Sequence, residues 1–188
     1  MRAHLDQDHR YEHSVRVARA AELLAQRHRV DANKARLAGL LHDLARLYSG
    51  PRLLEECERR EIPIGEFERH NPIVLHAPLS AALAREEFGV DDSGVLSAIA
   101  KHTLGDAEMS ALDCVVYLAD SLEPGRDFPQ REGLWELALS DLPAAMAATI
   151  VASIEHLHQN GREPAPQTLA ALRTFETIAR EGVTPSLN

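Results

Sequence analysis

Apolar residues in this chain recur at three- and four-residue intervals almost from end to end, and no run of β-branched residues alternates apolar with polar. That periodicity favours helices and leaves no strand to build a sheet from. A first helix is expected over about residues 8 to 29, where Tyr11, Val15, Ala18, Ala21 and Leu24 form one stripe beside Val17 and Ala20. Asp31 caps a second helix running to about Ala45. Pro51 opens a short third helix, and "IPIGEFERHNP" reads as a loop with at most one turn. Pro78 lies in the first turn of a helix that ends at Phe88, with Gly89 as its C′ residue. Another spans about Asp92 to Thr103. Ser110 and Asp113 form a capping box for the next, which ends before Pro124. Residues of about 131 to 181 supply two or three more helices, broken near Pro143 and by "NGREPAP". The expectation is an all-α helical bundle, one domain over residues 1–188, with a core at about 8–130 and a C-terminal helical extension at about 131–188.

Charge and composition narrow the partners. A formal charge of −9 argues against a broad nucleic-acid or anionic-membrane surface, yet permits a small anionic substrate where local cations gather. No stretch approaches the roughly 18 apolar residues of a membrane span. The opening "MRAHLDQDHRYEHS" is polar throughout and has no secretory h-region, and Cys57 and Cys114 stand isolated. A cytoplasmic protein is therefore expected. The chain also holds ten histidines, so the position of each matters.

Several polar residues fall where only apolar ones belong. His13 shares a helix face with Val17, Ala20 and Leu24. His42 and Asp43 follow Ala38 and Gly39 by one turn, so both project over small residues that leave room for another helix or a ligand. His102 lies on the face of Val95 and Ile99, and Asp120 follows Val116 within "VVYLAD". A lone inward histidine is most simply a hydrogen-bonded core residue. A carboxylate is harder to dismiss, because an ionised Asp buried without a partner costs several kcal/mol. Asp43 and Asp120 also sit near helix C-termini, where the macrodipole disfavours negative charge by about 0.3–1 kcal/mol. Neither apolar run embeds a Lys or Arg, and a divalent ion would resolve both problems. Neighbouring residues on a helix diverge by about 100°, so His42 and Asp43 would meet such an ion over the helix end, with His13 and Asp120 arriving from elsewhere. Imidazole and carboxylate without thiolate suit Fe, Mn, Co or Zn better than Mg or Ca. Three or four such ligands leave positions open for water and substrate, as catalytic sites do.

The set His13, His42-Asp43 and Asp120 resembles the H…HD…D signature of the HD-domain metal-dependent phosphohydrolases. The stretches "RYEHSVRVARAAELLA", "AGLLHDLAR", "LHAPLSAALAREEFGV" and "AIAKHTLGDAEMSALDCVVYLADSLEPGRDF" are similar to the YqeK family of bacterial HD proteins, symmetrical dinucleoside tetraphosphate hydrolases. The likeness covers roughly residues 9 to 130 closely and the later helices only in general character. Asp106 departs from it, standing where a basic or polar residue is expected, and "LHAPLSA" replaces a more usual "LHG.VGA".

The resemblance implies that His13, His42, Asp43 and Asp120 hold an iron-type cation. His76 and His102 would stand across the cleft and either hold a second ion or touch the phosphates, and phosphate contact is favoured. His76 lies two residues before Pro78, near a helix N-terminus that favours anions. Asp43, His76 and His102 would be the catalytic residues. Arg10, His76, His102, Thr103 and Arg126 would bind substrate. The implied reaction splits diadenosine tetraphosphate into two ADP. Another nucleotide phosphohydrolase of the superfamily, or a nucleotide-binding module without turnover, is the alternative. The C-terminal helices would close over the substrate or pair two chains as a homodimer. Lys101 is as well read as a solvated residue. His4 and His9 fall in the polar N-terminal stretch, His28 at a helix end and His70 in a loop. His156 and His158 are expected at a surface or interface, and Phe128 and Trp135 in core packing.

Overall fold

A computed structural model describes residues 8–181, and it is all-α, with no strand among the described residues. Ten α-helices follow one another: α1 (Asp8–His28), α2 (Ala32–Leu41), α3 (Gly50–Arg59), α4 (Glu66–His70), α5 (His76–Phe88), α6 (Ser93–Lys101), α7 (Ala111–Leu122), α8 (Arg131–Ser140), α9 (Leu142–Gln159) and α10 (Pro166–Glu181). The caps expected at Asp31 and Ser110 form, and Asp92 adds another. Asp31 accepts from the Asn33 and Lys34 amides, Asp92 from that of Val95, and Ser110 and Asp113 complete their reciprocal box. Gly89 closes α5 in the left-handed conformation at φ 66°.

Helix α7 is apolar on nearly every side and is accordingly the buried axis of the fold. Helices α1, α2, α6 and α9 all pack against it. Val115, Val116, Leu118 and Leu122 are fully enclosed, each side chain contributing about 1.5–3 kcal/mol on burial. Helices α1 and α2 cross very closely at Gly39, where a Cβ would stand 2.9 Å from the Cα of Ala18. Only glycine allows this approach, which brings His13 and His42 onto one wall.

Two elements differ from expectation. Helix α2 ends at Leu41, short of Ala45, and the chain tightens into turns closed by Leu44 N–H to Leu41 O and Arg46 N–H to Asp43 O. The Ala45 amide donates instead to Ser80 Oγ of α5, at 3.0 Å, so a tertiary contact takes the bond that would extend the helix. His42 and Asp43 thus sit at and beyond a helix end. The segment expected as loop forms α4 and a 3₁₀ turn at Pro72–Leu75, separated by Asn71, whose side-chain amide donates to Phe67 O. The C-terminal third forms three helices. Thr168 of α10 donates to Leu104 O at 2.8 Å, and Gly105, at φ 69°, lies against Ala171. Helix α10 thereby braces the turn that follows His102.

No described helix is long and apolar enough to cross a membrane.

Candidate active site

Four histidines from four elements line one buried hollow. His13 lies within α1, His42 caps the C-terminus of α2, His76 begins α5, and His102 caps the C-terminus of α6. Their rings succeed one another edge to face, with centroids 5.3 Å apart for His13 and His42, 4.7 Å for His42 and His102, and 5.1 Å for His102 and His76. Helix termini supply the reason for their pose. The last carbonyls of a helix lack partners, and the ring Nδ1 of His42 donates to Gly39 O at 2.8 Å, that of His102 to Ile99 O at 2.7 Å. His76 Nδ1 donates to Ile73 O of the 3₁₀ turn, at 2.5 Å. His13 Nδ1 donates to the carboxylate of Glu123, at 3.0 Å. A carbonyl or carboxylate oxygen accepts and does not donate back, so Nδ1 carries a proton in each ring and Nε2 faces inward.

Two carboxylates complete the hollow. Asp43 Oδ2 lies 3.6 Å from His42 Nε2 and 4.0 Å from His13 Nε2, while its Oδ1 lies 3.2 Å from His76 Nε2 and 3.7 Å from His102 Nε2. Asp120 Oδ1 stands 3.0 Å from His13 Nε2 and 3.7 Å from His42 Nε2. Three overlapping sets could each hold a metal ion: His13, His42 and Asp43; His42, His102 and Asp120; Asp43, His76 and His102. The Nε2 atoms of His13 and His42 are buried with no hydrogen-bond partner. Orphaned acceptors of this kind cost about 1–3 kcal/mol each. A divalent cation satisfies both, and the anchored Nδ1 atoms are the outer hydrogen bonds that metal-binding imidazoles require.

The electrostatics agree. Burial holds His42 neutral, down to about 4. Burial would raise Asp43, but His42 and the hydrogen bonds of His102 and His76 hold it well below the usual carboxylate range. Asp120 is likewise lowered against its burial by His13, His42 and Arg126. Burial lowers His76, whereas Asp43 and Asp120 outweigh burial at His102 and raise it.

Arg10 and Arg126, expected as substrate-binding cations, also stand beside the two aspartates. Arg126 donates to Asp120 Oδ1 at 2.6 Å and to its carbonyl at 2.9 Å, and Arg10 Nη1 lies 3.6 Å from Asp43 Oδ2. Thr103 Oγ1 is 3.2 Å from His76 Nε2 and 3.0 Å from His102 Nε2, and those two nitrogens are 3.2 Å apart. All nine residues singled out in sequence therefore meet here.

Two further residues were missed. Arg46 is half-buried, its guanidinium lowered by burial and by Arg10 and Arg126, with Asp43 and Asp120 opposing. Its place in "HDLAR", three residues after Asp43, was the available signal. Glu123 is 1% exposed and binds both His13 and Arg16. A glutamate closing an apolar helix just before Pro124 could have pointed to it. Lys101 is tied to the Glu108 carbonyl and lies 3.5 Å from Asp113, a structural role. Asp106 accepts from the Glu108 amide in the same turn. His28 bonds Ala138 O, His70 ends α4 on the Glu66 carbonyl, and His9, His156 and His158 are exposed. His4 lies outside the described residues. Phe128 and Trp135 pack against the core.

Comparison with known proteins gives a consistent result. The HD-domain family pattern matches residues 10–125. The chain is 35% identical over 161 residues to the symmetrical bis(5'-nucleosyl)-tetraphosphatase of Bacillus subtilis, covering 86% of each. It is 35% identical over 163 residues to the protein of that description in Halalkalibacterium halodurans, covering 87% of each. A Clostridium acetobutylicum crystal structure, described as a predicted HD superfamily hydrolase involved in NAD metabolism, superposes with a TM-score of 0.87 at 34% identity, covering 89% of both chains.

Proposed function

This chain belongs to the HD-domain family, alongside the symmetrical bis(5'-nucleosyl)-tetraphosphatases, and we propose that it hydrolyses diadenosine tetraphosphate and related dinucleoside tetraphosphates to two nucleoside diphosphates. The observation that carries this reading is the convergence of four inward-facing imidazole nitrogens and two carboxylates beside arginines, in a protein 35% identical to enzymes of that description.

His13, His42, Asp43 and Asp120 would hold a divalent cation, read here as iron because imidazole and carboxylate donors without thiolate suit it, Mn, Co or Zn. Such a cation, when bound, acidifies a water from about 15.7 toward 7 and neutralises phosphoryl charge. Asp43 faces both halves of the hollow and orients the attacking water. A new P–O bond forms at an inner phosphorus as the bridging P–O bond on its far side breaks. His76 and His102 contact the phosphates. His102, which Asp43 and Asp120 favour in its doubly protonated form, passes its Nε2 proton to the departing diphosphate oxygen and keeps its Nδ1 proton on the Ile99 carbonyl. The Thr103 hydroxyl holds the two rings together. Arg10 and Arg126 fork around phosphate oxygens, Arg126 by exchanging part of its bond to Asp120. The helices after residue 130 belong to the same domain in this reading, as a brace or as a surface for a homodimer, and the enzyme works in the cytoplasm.

A second reading concerns ion number. Because Asp43 turns one oxygen to each pair of histidines, it could bridge a second cation held with His76 and His102. Metal analysis separates the two, at one ion or two per chain.

The decisive test is product analysis. ADP is expected as the sole adenylate product from diadenosine tetraphosphate. ATP with AMP, or faster turnover of mononucleotides, dinucleoside triphosphates or cyclic dinucleotides, overturns the assignment.

A further inference from the structure

Glu123 lies three residues beyond Asp120, just past the end of α7, and is more deeply buried than any of the metal-facing histidines but His42. Its Oε1 takes the Nδ1–H of His13 at 3.0 Å. Its Oε2 takes the Gly125 amide at 2.6 Å and Arg16 Nε at 2.6 Å, with Arg16 Nη2 at 3.3 Å from Oε1. Every lone pair of the carboxylate that faces the protein is thus engaged, and three of the four donors serve to hold it still. The Arg16 guanidinium also makes room for itself: a Cβ at position 125 would lie 2.6 Å from Arg16 Nε.

His13 needs this arrangement more than its partners do. His42, His76 and His102 each donate Nδ1–H to a carbonyl three residues back, a bond local to the backbone. His13 sits inside α1, in its second turn, where the carbonyls three and four residues back are already taken by helix amides. It has no local acceptor and must borrow one from another element. A carboxylate also makes imidazole a better ligand than a carbonyl does, since the negative charge raises the basicity of Nε2.

We propose that Glu123 is the positioning residue of the metal centre: it fixes His13 in the Nδ1–H tautomer, with Nε2 bare toward the cation, and Arg16 with the Gly125 amide holds Glu123 in place for that purpose. The proposal rests on the metal-dependent reading above. It assigns the glutamate and glycine of "EPGR" and the arginine three residues after His13 to one device.

Cobalt(II) serves as the probe. Apo protein titrated with cobalt, followed by its visible absorption and by competition with a chelator, gives affinity and ligand environment without assaying turnover. Glu123→Gln can rotate its amide to donate to Nδ1, which would move the ring proton onto Nε2. Its cobalt affinity is expected to fall by about 10–100-fold, with a changed absorption spectrum. Arg16→Met should give a smaller loss in the same direction, and Arg16→Lys should recover part of it. An ion-free wild type overturns the metal reading itself. A wild type that binds cobalt beside a Glu123→Gln protein that binds it equally tightly, with the same spectrum, overturns the role of Glu123 alone. Long-range proton–nitrogen correlation on wild-type apo protein supplies a test independent of any variant's folding. The Nδ1–H tautomer of His13 is expected, and the Nε2–H tautomer overturns the proposal.

Discussion

Oδ1 of Asp43 stands 3.2 Å from Nε2 of His76, on the side of the carboxylate turned away from His42. One side chain therefore reaches both the proposed ion and the proposed phosphate contacts. Asp43→Ala should lose bound metal and turnover together, with kcat down on the order of 10³-fold or more, several kcal/mol of lost stabilisation. Metal analysis beside steady-state assay checks this. Full activity in that variant would remove the assignment of the site.

His76→Asn separates the two readings of the far pair. If His76 meets phosphate, metal content stays unchanged and kcat falls by about 10²–10⁴-fold, as for loss of a general acid. If His76 holds a second ion, metal content drops from two equivalents to one.

Arg126→Ala removes the guanidinium bonded at 2.6 Å to Asp120. A weaker grip on the polyphosphate should appear as a KM raised roughly tenfold, about 1.4 kcal/mol, with a shallower dependence on salt because one charge contact is gone. Unchanged KM and salt dependence would confine Arg126 to its bond with Asp120.

The metal-free protein should lose stability in mild acid. His42 sits down at about 4 because of burial, against an ordinary value of 6.5. As pH falls from 6.5 toward 4, the unfolded chain binds this proton and the folded chain does not, so stability decreases across that window. The full loss is on the order of 3 kcal/mol. His76, also lowered, acts in the same direction. His102 is raised, so its contribution is present in acid and fades as pH rises through its folded value. Denaturant midpoints of chelator-treated protein at pH 7, 5.5 and 4 measure the slope, which His42→Asn should flatten.

Gly39→Ala places a methyl group 2.9 Å from the Ala18 backbone, where neither helix can yield without moving the other. The cost is about 1–3 kcal/mol, or about 2–4 °C in Tm for each kcal/mol. Since α1 carries His13 and α2 presents His42, the same variant should bind metal more weakly, read by chelator competition.

The helices and the inward histidines were legible because both rest on local pattern: apolar spacing, caps at Asp31 and Ser110, and polar residues interrupting apolar faces. What escaped depends on contacts between distant segments. Helix α2 stops early because Ser80 takes the Ala45 amide from 35 residues away. Arg10 and Arg126 reach Asp43 and Asp120 from outside the apolar runs, so the charge balance could not be read helix by helix. Glu123 meets His13 across 110 residues. Neither partner's immediate neighbours announce the other.

Three of the four imidazoles are tied to the backbone of their own helix or turn, and each ring therefore travels with its element as a rigid outrigger. A small slide of α2, α5 or α6, caused by a change in packing far from the hollow, is delivered undamped to a nitrogen at the centre. Substitutions in the distant apolar interior should consequently retune the chemistry without touching it, and drift in this enzyme's rate during evolution need not be sought among the residues that face the substrate.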